Sequence, residues 1–195
     1  MLRLWISSGL LIAVVATNAV SQTWRDIRDQ YRRECRIDEA DIVAELHATP
    51  ESAAALPFPS LTSPEAAVYA LGLAVIREDL DLYDAVRHPS FIFYAPHKKS
   101  RLDFAEDRER MRRIFVNADF TAVSLSVGRA EPSSGCRFSG EEGYVRLFAR
   151  WHRVVVGGYA GIREERSLFV LLPEDLPDAA PFWRIVYWES PTPRR

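Results

Sequence analysis

The chain has 195 residues, is 48 % hydrophobic and carries a formal net charge of −2. That suffices for one filled core and one domain, and the charge balance excludes an electrostatic footprint for nucleic acid or for an anionic membrane surface. Lys98 and Lys99 are the only lysines, so the arginine excess reads as base composition, not as arginine chemistry.

Met1-Leu2-Arg3 places one positive charge before an uncharged run from Leu4 to Val20. This is the layout of a secretory signal peptide, residues 1–21, with Ala19 and Ser21 placed for cleavage before Gln22. Thr17 and Ala19 allow cleavage before Val20 instead, and an uncleaved anchor is the alternative at this length. The expected location is exported, periplasmic or secreted, with no membrane contact after cleavage. Two cysteines remain, Cys35 and Cys136. In an oxidising compartment two cysteines pair more often than not, the alternative being two buried thiols. A bond between them spans about a hundred residues, and a native bond of that span stabilises by a few kcal/mol.

Residues 22–61 read as a helical arm followed by a Pro-rich loop. Trp24, Ile27, Tyr31 and Cys35 form one helical stripe, with Thr23 as a cap, and Ile42, Val43 and Leu46 form a second. Pro50, Pro57 and Pro59 then predict a loop from Thr49 to Ser63. The main domain, residues 62–190, opens with Ser63-Pro64-Glu65, a helix N-terminus by its cap, its proline and its acid. Ala66 to Ile76 is apolar on nearly every side and predicts a helix covered all round. Glu78-Asp79-Leu80-Asp81 makes a corner. Leu82, Tyr83 and Val86 are the inner face of a short second helix, ended by His88-Pro89, and Phe91 to Tyr94 is a strand. Asp103 caps a third, amphipathic helix with Phe104, Met111, Ile114 and Phe115 on one face and Glu106 to Arg110 opposite.

From Thr121 the period is two. Thr121-Val123-Leu125-Val127 forms one strand, and Val145-Leu147-Ala149-Trp151 forms the apolar side of another. A glycine turn, residues 157–161, joins the latter to Ile162–Leu172. Centred on Tyr159, it sets Arg153 opposite Glu165 and His152 opposite Arg166, pairs worth a few tenths of a kcal/mol if exposed. Residues 173–181 are a loop, Phe182 to Glu189 the last strand, and residues 191–195 a frayed tail.

The order of elements in SPEAAVYALGLAVIREDLDLYDAVRHPSFIFY, with the closing GYVRLFARWHRV, RSLFVLL and FWRIVYWES, resembles the NTF2-like (SnoaL-like) superfamily. The resemblance implies an α+β cone: a curved antiparallel sheet wrapped around three helices, with a pocket at its open end. It adds an N-terminal helical segment here. The superfamily includes ketosteroid isomerases, cyclases, dehydratases, epoxide hydrolases and non-catalytic binding or assembly domains, so fold does not imply function. The isomerase base falls on Ala95, before Pro96. The oxyanion tyrosine falls on Leu71, with Tyr69 two residues away. Both roles fail together.

Asp79, Asp81 and Asp84 can form an acid–base pair or, more simply, cap a helix start, and His88 reads as packing. Tyr94, His97, Arg150, His152 and Tyr187 are the pocket candidates: Arg150 and His152 share a face with Tyr144 and Phe148 that can take a small acidic or aromatic ligand. The alternative is that this face is the outer one, solvated or paired with another subunit, while Val145, Leu147, Ala149 and Trp151 face the core. The histidines, His47, His88, His97 and His152, show no metal-ligand spacing, and no cofactor motif appears. The sequence therefore predicts an exported domain that binds a small molecule or protein partner without catalysis. The alternative is a pocket enzyme of the cyclase, isomerase or hydrolase kind using Asp or His, and a homodimer through the sheet is a further expectation.

Overall fold

A single apolar helix forms the axis around which the sheet curves. In the computed structural model, residues 42–96, 98–132, 143–158, 160–174 and 182–190 are described. Residues 1–41 with Cys35, together with His97, Cys136 and the tail, lie outside them. The elements are β1 (Ile42–Ala48), α1 (Pro50–Ala55), α2 (Pro64–Ile76), α3 (Leu80–Ala85), β2 (Arg87–Ala95), β3 (Ser100–Asp103), α4 (Phe104–Asn117), β4 (Ala118–Gly128), β5 (Glu131–Pro132), β6 (Val145–Gly157), β7 (Gly161–Glu174) and β8 (Phe182–Glu189). No helix among the described residues is long and apolar enough to cross a membrane.

The local signals around α2 act as expected. The Ser63 hydroxyl accepts from the Ala66 amide at 3.1 Å, and Pro64 sits where a missing N–H costs nothing. Every residue from Ala67 to Ile76 except Tyr69 is buried. Gly72 lets two strands close on the helix: a Cβ there would lie 2.8 Å from Leu125 Cδ2 and 3.0 Å from Leu46 Cδ2. Glu78 follows with φ of 55°, a left-handed turn that normally favours glycine. Its carboxylate accepts from the Phe120 amide at 2.8 Å, which ties the corner to β4.

Two expectations for the arm change. The Ile42, Val43, Leu46 stripe is strand β1, not helix. Leu46 and Ala48 are buried at period two, and Leu46 registers with Leu125 and Ala48 with Val123. The spacing fitted a helix locally, but the bare edge of β4 offers the backbone partners that decide it. The expected loop after Thr49 contains α1, because Pro50 occupies the first helical turn, where proline is tolerated. Thr49 and Ser52 form a reciprocal capping box. Arg77, at the end of α2, donates to the Ala53 carbonyl at 2.7 Å and to that of Leu56, closing the far end of α1.

The sheet runs β1-β4-β6-β7-β8-β2-β3, with β5 beside β6. It is antiparallel except between β8 and β2, which run parallel, so the sheet is mixed, not wholly antiparallel. The chain reaches that pairing by a long excursion through α4 and five strands. His88-Pro89 does not end a helix; α3 stops at Ala85 and both residues lie at the irregular start of β2. The β6–β7 register is also two residues from expectation: Arg153 opposes Arg163 and His152 opposes Glu164. Gly157 carries φ of 87°, and a Cβ there would meet the Asn117 carbonyl at 2.8 Å. Gly158 donates to that same carbonyl at 2.7 Å, so the end of α4 sets where the hairpin turns.

One face of the sheet wraps α2. Trp151, Leu125 and Leu46 align across three strands, and Leu147, Phe169, Trp188 and Phe93 across four. All are buried.

Candidate functional site

Helix α4 begins with a full capping box, Asp103 accepting from the Glu106 amide at 2.9 Å and Glu106 from that of Asp103 at 3.1 Å. This fixes the helix's rotation. Phe104, Asp107 and Met111 then fall on the face turned to the core, three and four residues apart. Asp107 is fully buried. Its Oδ2 accepts from the Tyr83 hydroxyl at 2.7 Å and from Arg87 Nη1 at 3.0 Å, and its Oδ1 from Arg110 Nε at 2.8 Å.

Arg87 is equally buried. Its Nε donates to the Tyr83 carbonyl at 3.1 Å, its Nη2 to Asp84, and Asp84 also takes Arg108. The guanidinium lies 4.2 Å from the ring centres of both Tyr83 and Phe104 and 4.9 Å from that of Phe91, a favourable cation–π enclosure. Burial, reinforced by the Asp107 charge, pushes the Tyr83 phenol well above the ordinary value of 10.0, so it stays a donor.

A second polar group lies beside it, where β7 runs past the end of β8. Glu165 and Ser167 sit on the same sheet face as Phe169, and Trp151 registers opposite Glu165. Glu165 Oε1 accepts from the Ser167 hydroxyl at 2.8 Å, and Ser167 Oγ accepts from Trp188 Nε1 at 2.9 Å. Glu165 Oε2 takes Arg153 Nη2. Arg110 completes the group, its guanidinium 4.1 Å from the Phe93 ring centre. Burial works against the Arg110 charge, but Asp107, with Glu165 adding across the cone, outweighs it and holds the guanidinium above the ordinary arginine value.

The pocket candidates of the sequence fall elsewhere. Arg150 and His152 are exposed on the outer face of β6, opposite in sense to buried Ala149 and Trp151. Tyr187 and Tyr94 lie on the outer face of β8 and β2, half-buried, with the Tyr187 hydroxyl donating to Glu189 at 3.1 Å. Tyr94 and Tyr187 are diagonal neighbours. Arg150 lies four residues along β6 from Arg146, which is level with Tyr187, a separation of about 13 Å at strand rise. Of the aspartates, Asp79 caps α3, accepting from the Asp81 and Leu82 amides at 3.0 Å. Asp84 is an ion-pair partner. His88 Nδ1 accepts from the Ser90 amide at 3.0 Å. Ala95 and Leu71 are buried, and Tyr69 lines an open groove of about 430 Å³ with Val43, Glu65 and Arg129, not the interior of the cone.

Sequence reasoning missed the inner polar residues, although a signal existed. Arg153 has the parity of Trp151 along β6, and Glu165 and Ser167 that of Phe169, so charge sat on an apolar face. Asp107 likewise sits at core spacing between Phe104 and Met111.

A helix-filled curved sheet with this strand order decides the fold. The fold is NTF2-like. Solved structures agree with it. A protein from Thiobacillus denitrificans, assigned as a calcium/calmodulin-dependent protein kinase type II association domain, superposes with a TM-score of 0.52 at 20 % identity, over 70 % of this chain and 99 % of that one. A ketosteroid isomerase-like protein from Erwinia carotovora atroseptica gives 0.52 at 15 % identity, over 67 % and 94 %. An NTF2-like protein of unknown function in nutrient uptake from Rhodospirillum rubrum gives 0.50 at 15 % identity, over 64 % and 93 %. No family model matches the chain. No curated protein matches it. At these identities the likeness is one of fold, and the NTF2-like cone hosts many activities.

Proposed function

We propose that this NTF2-like chain is an exported, non-catalytic domain that holds a small molecule at the inner polar group of its cone. One observation carries the reading: the buried carboxylates there are already engaged. Both oxygens of Asp107 take an arginine, and one of them takes the Tyr83 hydroxyl as well. Both oxygens of Glu165 are held, by Ser167 and by Arg153. A general base must reach the proton that it removes, and these acceptors face their own arginines. The positions of the isomerase base and tyrosine carry Ala95 and Leu71, which have no such chemistry.

Export by the N-terminal segment, a Cys35–Cys136 disulfide and a homodimer through the outer sheet face belong to the same proposal. Native mass spectrometry of the protein taken from its own exported fraction tests it. The expected result is a retained small molecule released unchanged on denaturation. Turnover of that molecule, abolished in a folded Glu165→Gln variant, would make the chain an enzyme instead.

A further inference from the structure

The sheet has two edges, and they are finished differently. At one, β3 is four residues long and follows the turn that holds Lys98 and Lys99. Short edge strands and edge lysines are common defences against pairing with another chain. At the other, β1 has seven residues, IVAELHA, with no lysine, arginine or proline among them. Among the described residues, no strand pairs with the far side of β1, and none of its backbone groups bonds to a loop or turn. The N–H and C=O groups on that side are a template for an added strand. Ile42 and Val43, at the start of β1, are 53 % and 43 % exposed, so the open edge also carries uncovered apolar surface.

The occupant follows from register. β1 pairs regularly with β4 from Ala44 to Ala48; an irregularity precedes Ala44, and Thr49 already caps α1. The middle of that run is Leu46. A second copy of the strand, added antiparallel about a two-fold axis at Leu46, sets Glu45 opposite the second copy's His47 and His47 opposite its Glu45. Moving the axis to residue 45 would set Glu45 against its own copy, with like charges directly opposed. Moving it to residue 47 would set His47 against its own copy and take the imidazoles away from both carboxylates. Both side chains stand on the outer face, where a β4 serine holds one atom of each. Ser126 donates to Glu45 Oε1 at 3.3 Å, and Ser124 Oγ meets His47 Nδ1 at 2.8 Å. Glu45 Oε2 and His47 Nε2 have no partner among the described residues. With Nδ1 accepting from Ser124, Nε2 carries a hydrogen for the carboxylate opposite.

We infer that β1 is a self-association edge: two copies of this chain pair through residues 44–48, antiparallel and centred on Leu46, into one sheet continuous across both. This goes beyond the small-molecule reading above and does not depend on it. It is also a different contact from a dimer through the outer sheet face, which stacks two sheets where this one lengthens a single sheet. The two-fold contact satisfies both β1 edges at once and closes, so it leaves no further β1 edge to extend. A pairing confined to residues 44–48 buries less than a standard interface, so the dimer is weak and reversible.

Sedimentation of the full-length protein across a range of concentrations, with amide hydrogen exchange at low and high concentration, tests the inference. A monomer–dimer equilibrium is expected, with exchange in residues 44–48 slowed at high concentration. Glu45→Lys sets a lysine against His47, and His47→Glu sets a glutamate against Glu45; each should weaken the dimer about tenfold. An equimolar mixture of the two variants should restore it. The introduced lysine then faces the introduced glutamate, and the remaining His47 faces the remaining Glu45. The exchange readout on the wild type needs neither variant to fold. Monomer at every concentration would overturn the inference and count against the sheet-face dimer as well. A dimer that Arg150→Glu weakens and the β1 variants do not would be the sheet-face one, and would overturn this inference alone. Self-association that leaves exchange in residues 44–48 as fast as in the monomer would overturn it too. A mixture no stronger than either variant alone would overturn the register.

Discussion

Arg87 and Arg110 both pair with Asp107, yet they live in different surroundings. Arg87 is enclosed by three rings and its donors find Tyr83, Asp84, Phe104 and Asp107. Arg110 leaves Nη2 without an aligned acceptor although Asp107 Oδ1 is 2.6 Å away, and Trp151 Nε1 and Arg153 Nε have no acceptor among the described residues. Residue type does not separate the two groups, since both are arginines, carboxylates and aromatic rings. The difference is the matching of donors to acceptors. A fully matched buried network rigidifies the core and has no capacity left for a ligand. An unmatched one is costly by itself and is offset by whatever supplies the missing acceptors.

Asp107→Ala is the severest way to break this comparison. It strips Arg87 and Arg110 of their shared counter-charge, and loss of one partner from a buried ion pair costs about 3–5 kcal/mol. Urea unfolding measures it, and a loss under about 1 kcal/mol would mean that the network is not closed as described. Tyr83→Phe removes one donor from Asp107 and should cost about 1–2 kcal/mol. It also has a pH signature. The folded state holds the Tyr83 proton above the ordinary tyrosine range, so below that range both states keep it and its contribution is full. As pH rises past about 10, the unfolded chain loses the proton first, and stability falls by up to about 1.4 kcal/mol per pH unit until the folded phenol titrates. The wild type should show this extra alkaline slope over Tyr83→Phe; parallel slopes would refute it.

The Arg153–Glu165 pair should respond more gently. The paired change R153M/E165Q removes both charges together and should cost about 1–2 kcal/mol, less than Asp107→Ala, because it leaves no lone buried charge but does leave a buried amide without its arginine. A loss as large as that of Asp107→Ala would erase the distinction between the two regions. His152→Ala, on the exposed outer face, should change stability by under about 0.5 kcal/mol. A loss above about 1 kcal/mol in urea unfolding would mean that His152 is packed and not solvated.

Local chemistry was legible in advance where neighbours in sequence are the partners. Ser63 capping α2, Asp103 capping α4 and Asp79 capping α3 all follow from residues within three positions of one another. The corner at Glu78 was legible as a corner, though not as a left-handed residue tied to β4. The candidate site was legible only as a parity violation. Arg153 and Glu165 stood out as an ion pair, but as a solvated one, since the hairpin register was placed two residues away. Asp107 and Arg110 read as the wet side of an amphipathic helix, because most of their neighbours in sequence are charged.

The caps, the all-apolar axis helix, the strand alternation and hence the class of fold follow from the amino-acid order alone, because each depends on backbone and side-chain preferences over a few residues. Long-range packing makes residues 42–48 a strand, pivots the β6–β7 hairpin on the end of α4, and puts Asp107, Trp151 and Glu165 on the buried side. Those outcomes depend on partners far apart in the chain. β4 lies some 80 positions beyond β1, as in the Glu45–Ser126 pair, and no local preference encodes a contact whose other half arrives that late.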